Sequence, residues 1–182
     1  MAVPVVAGAA ACVFYRRPIM DLLYSSHAAE SAPIFALLIS GFVAISMVYI
    51  YGTLLTANGS LRQLNIVAFC GIVFNIAMNF VLIPRYGALG AAIVSLATQS
   101  LTAFAQIAIA FSIFGLKFRG RTQFMLLLYV LGIAAFGFAS TNLPFGWYGN
   151  ALIMFAVSGL WAFALRLVRI NDFLTLVKTK SE

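Results

Sequence analysis

The sequence predicts an all-α integral membrane protein with about six transmembrane helices, and three observations predict it. First, 64% of its 182 residues are hydrophobic, only 8% are charged, and mean hydropathy is +1.06. A soluble domain covers its surface with about three times that charge. Second, several apolar runs reach the roughly 18–20 residues that cross about 30 Å of hydrocarbon at about 1.5 Å per residue. Third, these runs do not alternate apolar and polar residues as barrel strands do. Lipid offers the backbone no partners, so an uninterrupted apolar run must pair its own N–H and C=O groups, which a helix does.

Taken in order, the first span covers 2–15 and is expected to continue past Pro18 towards Tyr24. The second runs over 33–56, the third over 64–83 and the fourth over 88–114. The fifth, 124–139, is the shortest, and the sixth covers 147–167. The connections carry turn residues: Asn58-Gly59-Ser60, Pro84 to Gly87, and Thr141 to Gly146. Lys117-Phe118-Arg119-Gly120-Arg121 links the fourth and fifth spans. No connection is long enough for a soluble domain, and residues 1–182 read as one transmembrane helical domain.

Charge placement sets an expected orientation. Six spans put both termini on one side, with Arg62, Lys117, Arg119, Arg121, Arg166, Arg169, Lys178 and Lys180. The other side holds Arg16, Arg17 and Arg85. The positive-inside rule then places the C-terminus in the cytoplasm. The uncharged 141–149 loop suits the outer face, where Trp147 and Tyr148 fit an aromatic belt. This bias accounts for the pI of 9.9 without nucleic acid as a partner.

Few residues could carry catalysis. The four acids are Asp21, Glu30, Asp172 and Glu182, none in the middle of a span. His27, the one histidine, has no second ligand at metal-binding spacing, and with Glu30 it reads as a solvated turn. No nucleophile–base set and no phosphate-cradling glycine loop can be assembled, so neither an enzyme nor a metal or cofactor is expected. Cys12 and Cys70 lie in separate spans and read as buried small hydrophobes. Arg16 and Arg17 follow the first apolar run, whereas an export signal carries its cations ahead of the run.

The spans instead carry uncharged polarity. Asn75 and Asn79 are four apart and share a helix face. Ser95, Gln99, Thr102 and Gln106 repeat at intervals of 4, 3 and 4, and Ser46, Tyr49, Thr53 and Thr56 at 3, 4 and 3. Lipid cannot pair such stripes, so they face another helix or a wet cavity. Interhelical hydrogen bonds are the plainer explanation, at about 0.6 kcal/mol each. Three spans with stripes point towards a cavity. Gly87, Gly90 and Ala91 bring the fourth helix close to a neighbour, and Gly87 suits a tight turn at positive φ after Pro84.

The stretch NIAMNFVLIPRYGALGAAIVS, residues 75–95, resembles a segment of polysaccharide flippases of the MOP superfamily, the Wzx-type exporters of lipid-linked oligosaccharides. There an Asn-bearing helix ends in a Leu-Ile-Pro-x-x-Gly turn before a Gly-Ala-Ala helix start. RRPIMDLLYSSHAAESAPIFALLI (16–39) and YGTLLTANGSLRQLNIVAFCGIVFN (51–75) resemble the family's preceding segments in the same order. The resemblance covers about residues 3–115; the last two helices fit in number.

The resemblance implies helices nine to fourteen of a fourteen-helix transporter. With Met1 opening inside an apolar run, the expectation is a fragment, completed by a missing N-terminal lobe or a partner chain. The implied function is transfer of an undecaprenyl-diphosphate-linked repeat unit from inner to outer leaflet of the bacterial inner membrane, during polysaccharide (O-antigen-type) biosynthesis. Partners would be membrane lipids and the lipid-linked oligosaccharide. Asn75, Asn79, Ser95, Gln99, Thr102 and Gln106 are candidates for lining the pathway. Arg16, Arg17 and Arg85 are candidates for the diphosphate, with snorkelling to headgroups as the simpler role. Pro84, Gly87, Gly90 and Ala91 would shape the turn and its packing. The alternatives are a non-transporting scaffold of a glycan-assembly complex, a small membrane enzyme, part of a multidrug antiporter of the MATE type, or a lipid II flippase. The lack of mid-span acids weighs against an ion-coupled antiporter.

Overall fold

A computed structural model describes residues 2–24, 26–115, 120–142, 144 and 146–165. The described residues are helical, with no strand: α1 (Ala2–Phe14), α2 (Arg16–Leu23), α3 (Ala28–Ala57), α4 (Leu61–Phe114), α5 (Gly120–Thr141) and α6 (Trp147–Ala164). Lys117, Arg119, Arg166, Arg169, Lys178, Lys180, Asp172 and Glu182, and the end of the sixth span, lie outside the described residues. The chain divides into two compact units, Met1–Phe118 and Arg119–Glu182.

In the first unit the expected first span is broken. α1 ends at Phe14, and α2 leaves it at a bend of 72°. The break falls at Tyr15 (φ −97°, ψ 21°), while Pro18 sits in the first turn of α2, where a missing N–H leaves no helix bond unmade. α1 and α2 both pack on α3. α3 starts five residues before the expected span, directly after His27 at φ 64°. It ends in a Schellman cap: Ser60 N–H donates to Leu55 O at 2.9 Å and Gly59 N–H to Thr56 O at 2.9 Å, with Gly59 at φ 76°. The Asn58-Gly59-Ser60 turn supplies the residues this cap requires.

α4 spans 54 residues, and a straight helix of that length would measure about 80 Å, far beyond a bilayer. It folds back on itself at Gly87, whose φ of 55° and ψ of −132° are non-helical. Three cross-helix pairings define the hairpin. Asn75 bonds Thr98, a Cβ on Gly71 would meet Thr102, and one on Gly90 would meet the Leu82 carbonyl. The limbs 61–86 and 88–114 match the third and fourth expected spans. The turn is tighter than the sequence indicates. Pro84, Arg85 and Tyr86 remain helical, and one residue reverses the chain.

α3 runs parallel to limb 88–114, since Gly41 faces Gln99 and Gly52 faces Gln106. In the second unit α5 and α6 pair around Trp161, whose indole N–H donates to Leu128 O at 3.4 Å and whose ring meets Phe136 edge-on at 5.8 Å. α6 buries Asn150, Met154, Ser158 and Ala162 at intervals of four, a single seam.

Among the described residues four helices are long and apolar enough to cross a membrane, or five with the bent α1–α2 pair counted as one span. The fold at Gly87 divides one of these into two limbs of crossing length. Large side chains face outward, among them Phe80 at 78% and Phe104 at 71% exposure. In water such a surface would aggregate, whereas in lipid it is matched to its solvent. The helices have the length and composition of a multi-pass membrane protein. Cys70 is exposed on this surface, contrary to the expectation that it is buried; Cys12 is half-buried.

Candidate functional site

The polar residues of α4 separate into two groups with different neighbours. The first lies inside the hairpin. Asn79 Nδ2 donates to Asn75 Oδ1 at 2.9 Å, Asn75 Nδ2 donates to Thr98 Oγ1 at 3.1 Å, and Thr98 Oγ1 donates to Val94 O at 2.8 Å. This chain of donors crosses from limb 61–86 to limb 88–114. Thr102 Oγ1 donates to Thr98 O at 2.8 Å and faces the bare Cα of Gly71. Helix spacing places Asn75 and Asn79 together, but Thr98, the residue that connects them across the limbs, was absent from the sequence candidates.

The second group faces α3. Gln99 Nε2 donates to Ser95 Oγ at 3.1 Å, and its amide lies against Gly41. Gln106 lies against Gly52 and is only 6% exposed. The oxygens Gln99 Oε1 and Gln106 Oε1, with Asn79 Oδ1, are buried and have no hydrogen-bond partner among the described residues. Ser95, Gln99, Thr102 and Gln106 therefore do not share one destination. Thr102 points to the hairpin partner, and the glutamines point to α3.

Gln106 forms part of the wall of a groove of about 480 Å³ lined by Val48, Tyr49, Gly52, Thr53, Thr56 and Ala57. Most of the α3 stripe seeks neither a second helix nor a cavity for its protons. Ser46, Thr53 and Thr56 donate to Phe42 O, Tyr49 O and Gly52 O, each four residues back, at 2.7–2.8 Å. Their hydroxyl protons are committed to the helix, and their oxygens keep lone pairs. The hydroxyls of Thr53 and Thr56 thus present acceptors to the groove, while Gln106 Oε1 is buried against Gly52. A smaller space of about 370 Å³ lies beside Asn79, with Ile76, Phe80, Ile83 and Pro84.

The three candidate cations are exposed, and Arg16 Nη1 donates to Val13 O at 3.2 Å. Arg85 stands near the hairpin tip, at the end of the unit where α3 begins, since α3 and limb 88–114 run parallel. Among the turn residues Gly87 takes φ 55°, Gly90 faces the Leu82 carbonyl, Pro84 is exposed within the helix, and Ala91 is half-buried. His27 Nδ1 lies 3.5 Å from Glu30 Oε2, both side chains more than three-quarters exposed, a solvated pair of little energetic weight. Among the described residues no group of three His, Cys, Asp or Glu could hold a metal.

The hydrogen-bond chain yields a direct test. Thr98→Val keeps the side-chain shape and removes the link between limbs. It is expected to lower hairpin stability by about 0.6 kcal/mol, and at most about 1.7. Thermal unfolding in detergent measures it, with Asn65→Leu, an exposed polar position on the same limb as Asn75, as the comparison. Comparison with protein-family models, with curated proteins and with solved structures finds no match.

Proposed function

We propose that this chain is part of a carrier that moves a lipid-linked oligosaccharide, an undecaprenyl-diphosphate-linked repeat unit, between leaflets of a bacterial inner membrane, with its C-terminus in the cytoplasm. The observation that carries this reading is the Gln106 groove. It is uncharged, and its largely apolar lining carries the hydroxyls of Tyr49, Thr53 and Thr56, inside a unit whose outer surface is apolar. Sugars carry many hydroxyl donors, so they complement acceptors such as Thr53 Oγ1 and Thr56 Oγ1. Tyr49 lines the same groove and offers a ring face for the apolar side of a sugar. The polyprenyl tail would remain among the exposed Phe and Leu side chains.

The reading requires more helices than these. Carriers of this class bind substrate between two halves and rock one against the other. A missing lobe or a partner chain supplies the second half in this proposal. No residue here acts as a catalyst; the chain binds, orients and releases.

The test uses Tyr49→Phe, Thr53→Val and Thr56→Val in the complete carrier, each removing one hydroxyl from the groove wall. Each lost hydrogen bond to a sugar hydroxyl is worth about 1 kcal/mol, so each variant is expected to slow export about fivefold. Surface glycan falls and lipid-linked repeat units accumulate on the inner leaflet, at unchanged protein level. Separately, Gln106→Leu is expected to raise the thermal midpoint, because it removes a buried acceptor that has no partner. Unchanged export in all three hydroxyl variants would overturn the reading.

A further inference from the structure

We infer that α2 is an interfacial helix, lying in the headgroup plane and holding membrane lipid phosphates through its exposed Arg17. Length argues first. α1 has 13 residues, about 20 Å of rise, and α2 turns away from it by 72°, so the eight residues of α2 add only about 4 Å to the crossing. α2 therefore contributes direction along the surface and almost no depth. α3, at 30 residues or about 45 Å, is longer than the hydrocarbon is thick, and its early turns reach the same headgroup zone.

The faces of α2 argue second. At about 100° per residue, Ile19, Met20, Leu22 and Leu23 fall on one side, with Arg16 at its first turn, and Arg17 and Asp21 fall on the other. Met20 is anchored in the protein at 4% exposure, next to the buried Tyr15 at the bend. Leu22 and Leu23 are each 63% exposed and Tyr24 54%, so apolar surface remains uncovered beside the anchor. A helix with one side wet and charged, by Arg17 and Asp21, and the other largely apolar and uncovered matches the boundary between headgroups and acyl chains. An aromatic at its end suits the same depth.

Charge argues third and names the occupant. Arg17 is exposed, as is Arg85 at the same end of the unit, and among the described residues neither is paired with an acid. Arg16 is engaged with the Val13 carbonyl, one of the acceptors that the end of α1 leaves without an intrahelical donor. Arg17 and Arg85 are thus free to take phosphate oxygens, and the phosphates of bulk anionic lipid are the ones always present at that depth.

The full chain in nanodiscs tests this. Nitroxide labels are placed at Leu22→Cys, Leu23→Cys and Asp21→Cys after Cys12→Ala and Cys70→Ala, and their accessibility to oxygen and to an aqueous nickel chelate is compared. Labels at 22 and 23 are expected to be oxygen-rich and shielded from nickel by about tenfold relative to 21. Separately, Arg17→Ala with Arg85→Ala is expected to halve the phosphatidylglycerol that copurifies from mixed phosphatidylglycerol–phosphatidylcholine membranes. Equal nickel access at all three positions would overturn the interfacial placement, and unchanged phosphatidylglycerol retention would overturn the phosphate contacts. The labelled positions and the two arginines are exposed, Cys12 is half-buried, and an unchanged thermal midpoint verifies folding.

Discussion

Gly90→Ala is expected to destabilise the first unit by about 1–3 kcal/mol, the range for overpacking a close contact, and to fall at the upper end of that range. An added Cβ would stand 2.5 Å from the Leu82 carbonyl oxygen and 2.8 Å from its carbon. These are backbone atoms in the facing limb, and no rotamer change moves them. Relief requires the limbs to separate, which would stretch the Asn75–Thr98 bond further along the same seam. Gly87→Ala acts at the same turn by a different route. Its Cβ would meet nothing within 4 Å, but φ 55° with ψ −132° is a conformation that costs a residue with a Cβ about 1–3 kcal/mol. The two sites are close, so the double variant is expected to depart from additivity. Gly159→Ala on α6 is the control, since nothing lies within 4 Å of its Cβ. Thermal midpoints and the monodisperse fraction in detergent report all three. Equal midpoints for Gly90→Ala and Gly159→Ala would show that the limbs are not in contact at Leu82.

That hairpin was largely legible in the sequence, for a physical reason. A crossing segment has a fixed length, so an apolar run of more than fifty residues with Pro84 and Gly87 near its middle must reverse there. The break at Tyr15 was not legible. No glycine marks it, and Pro18 sits beyond it in a position a helix tolerates. The polar stripes were visible as spacings, but their partners were not. Spacing assigns Ser46, Thr53 and Thr56 to one face and cannot reveal that their protons go to their own helix. Nor does it reveal that the glutamines seven apart, Gln99 and Gln106, are received by glycines eleven apart on α3, Gly41 and Gly52. Two turns on one helix facing three on the other is the signal that could have found them. Cys70 was misjudged because, in lipid, an apolar residue gains little by moving inside.

The same reversal of solvent explains where the stability of these units resides. Lipid offers no hydrophobic drive to bring helices together, so close packing and hydrogen bonds must hold them. Glycine is the residue that permits closeness, and three seams have one: Gly41 and Gly52 where α3 meets limb 88–114, Gly71 and Gly90 in the hairpin, and Gly132 on α5. At the α3 seam the glycines receive amides, and the oxygens Gln99 Oε1 and Gln106 Oε1 are left without protein partners. A helix pair selected only for packing would fill those seats with alanine and leucine. The unpaired acceptors lower the stability of this seam.

Gly132→Ala is expected to cost the second unit about 1–3 kcal/mol, and the cost is expected to disappear when Trp161 is made smaller. A Cβ on Gly132 would collide with the Trp161 indole at Nε1, with Cδ1 at 2.8 Å and Cε2 at 2.9 Å. The indole cannot withdraw freely. Its N–H is bonded to Leu128 O, and its ring is held edge-on to Phe136. Leu128, Gly132 and Phe136 are successive positions on one face of α5, so the missing side chain in the middle exposes the carbonyl that the indole reaches. Trp161→Leu alone loses that bond and part of the packing, and is expected to destabilise by about 2–3 kcal/mol, somewhat less than a full truncation to alanine. Gly132→Ala added to it should cost little or gain slightly, since alanine is the better helix former by about 1 kcal/mol. The double-mutant cycle is therefore expected to give a coupling of about 1–3 kcal/mol between positions 132 and 161. Circular dichroism during SDS titration measures it without depending on tryptophan emission. A coupling near zero would mean that the indole does not occupy the Gly132 seat, and α5 and α6 would then have to pair along a different face.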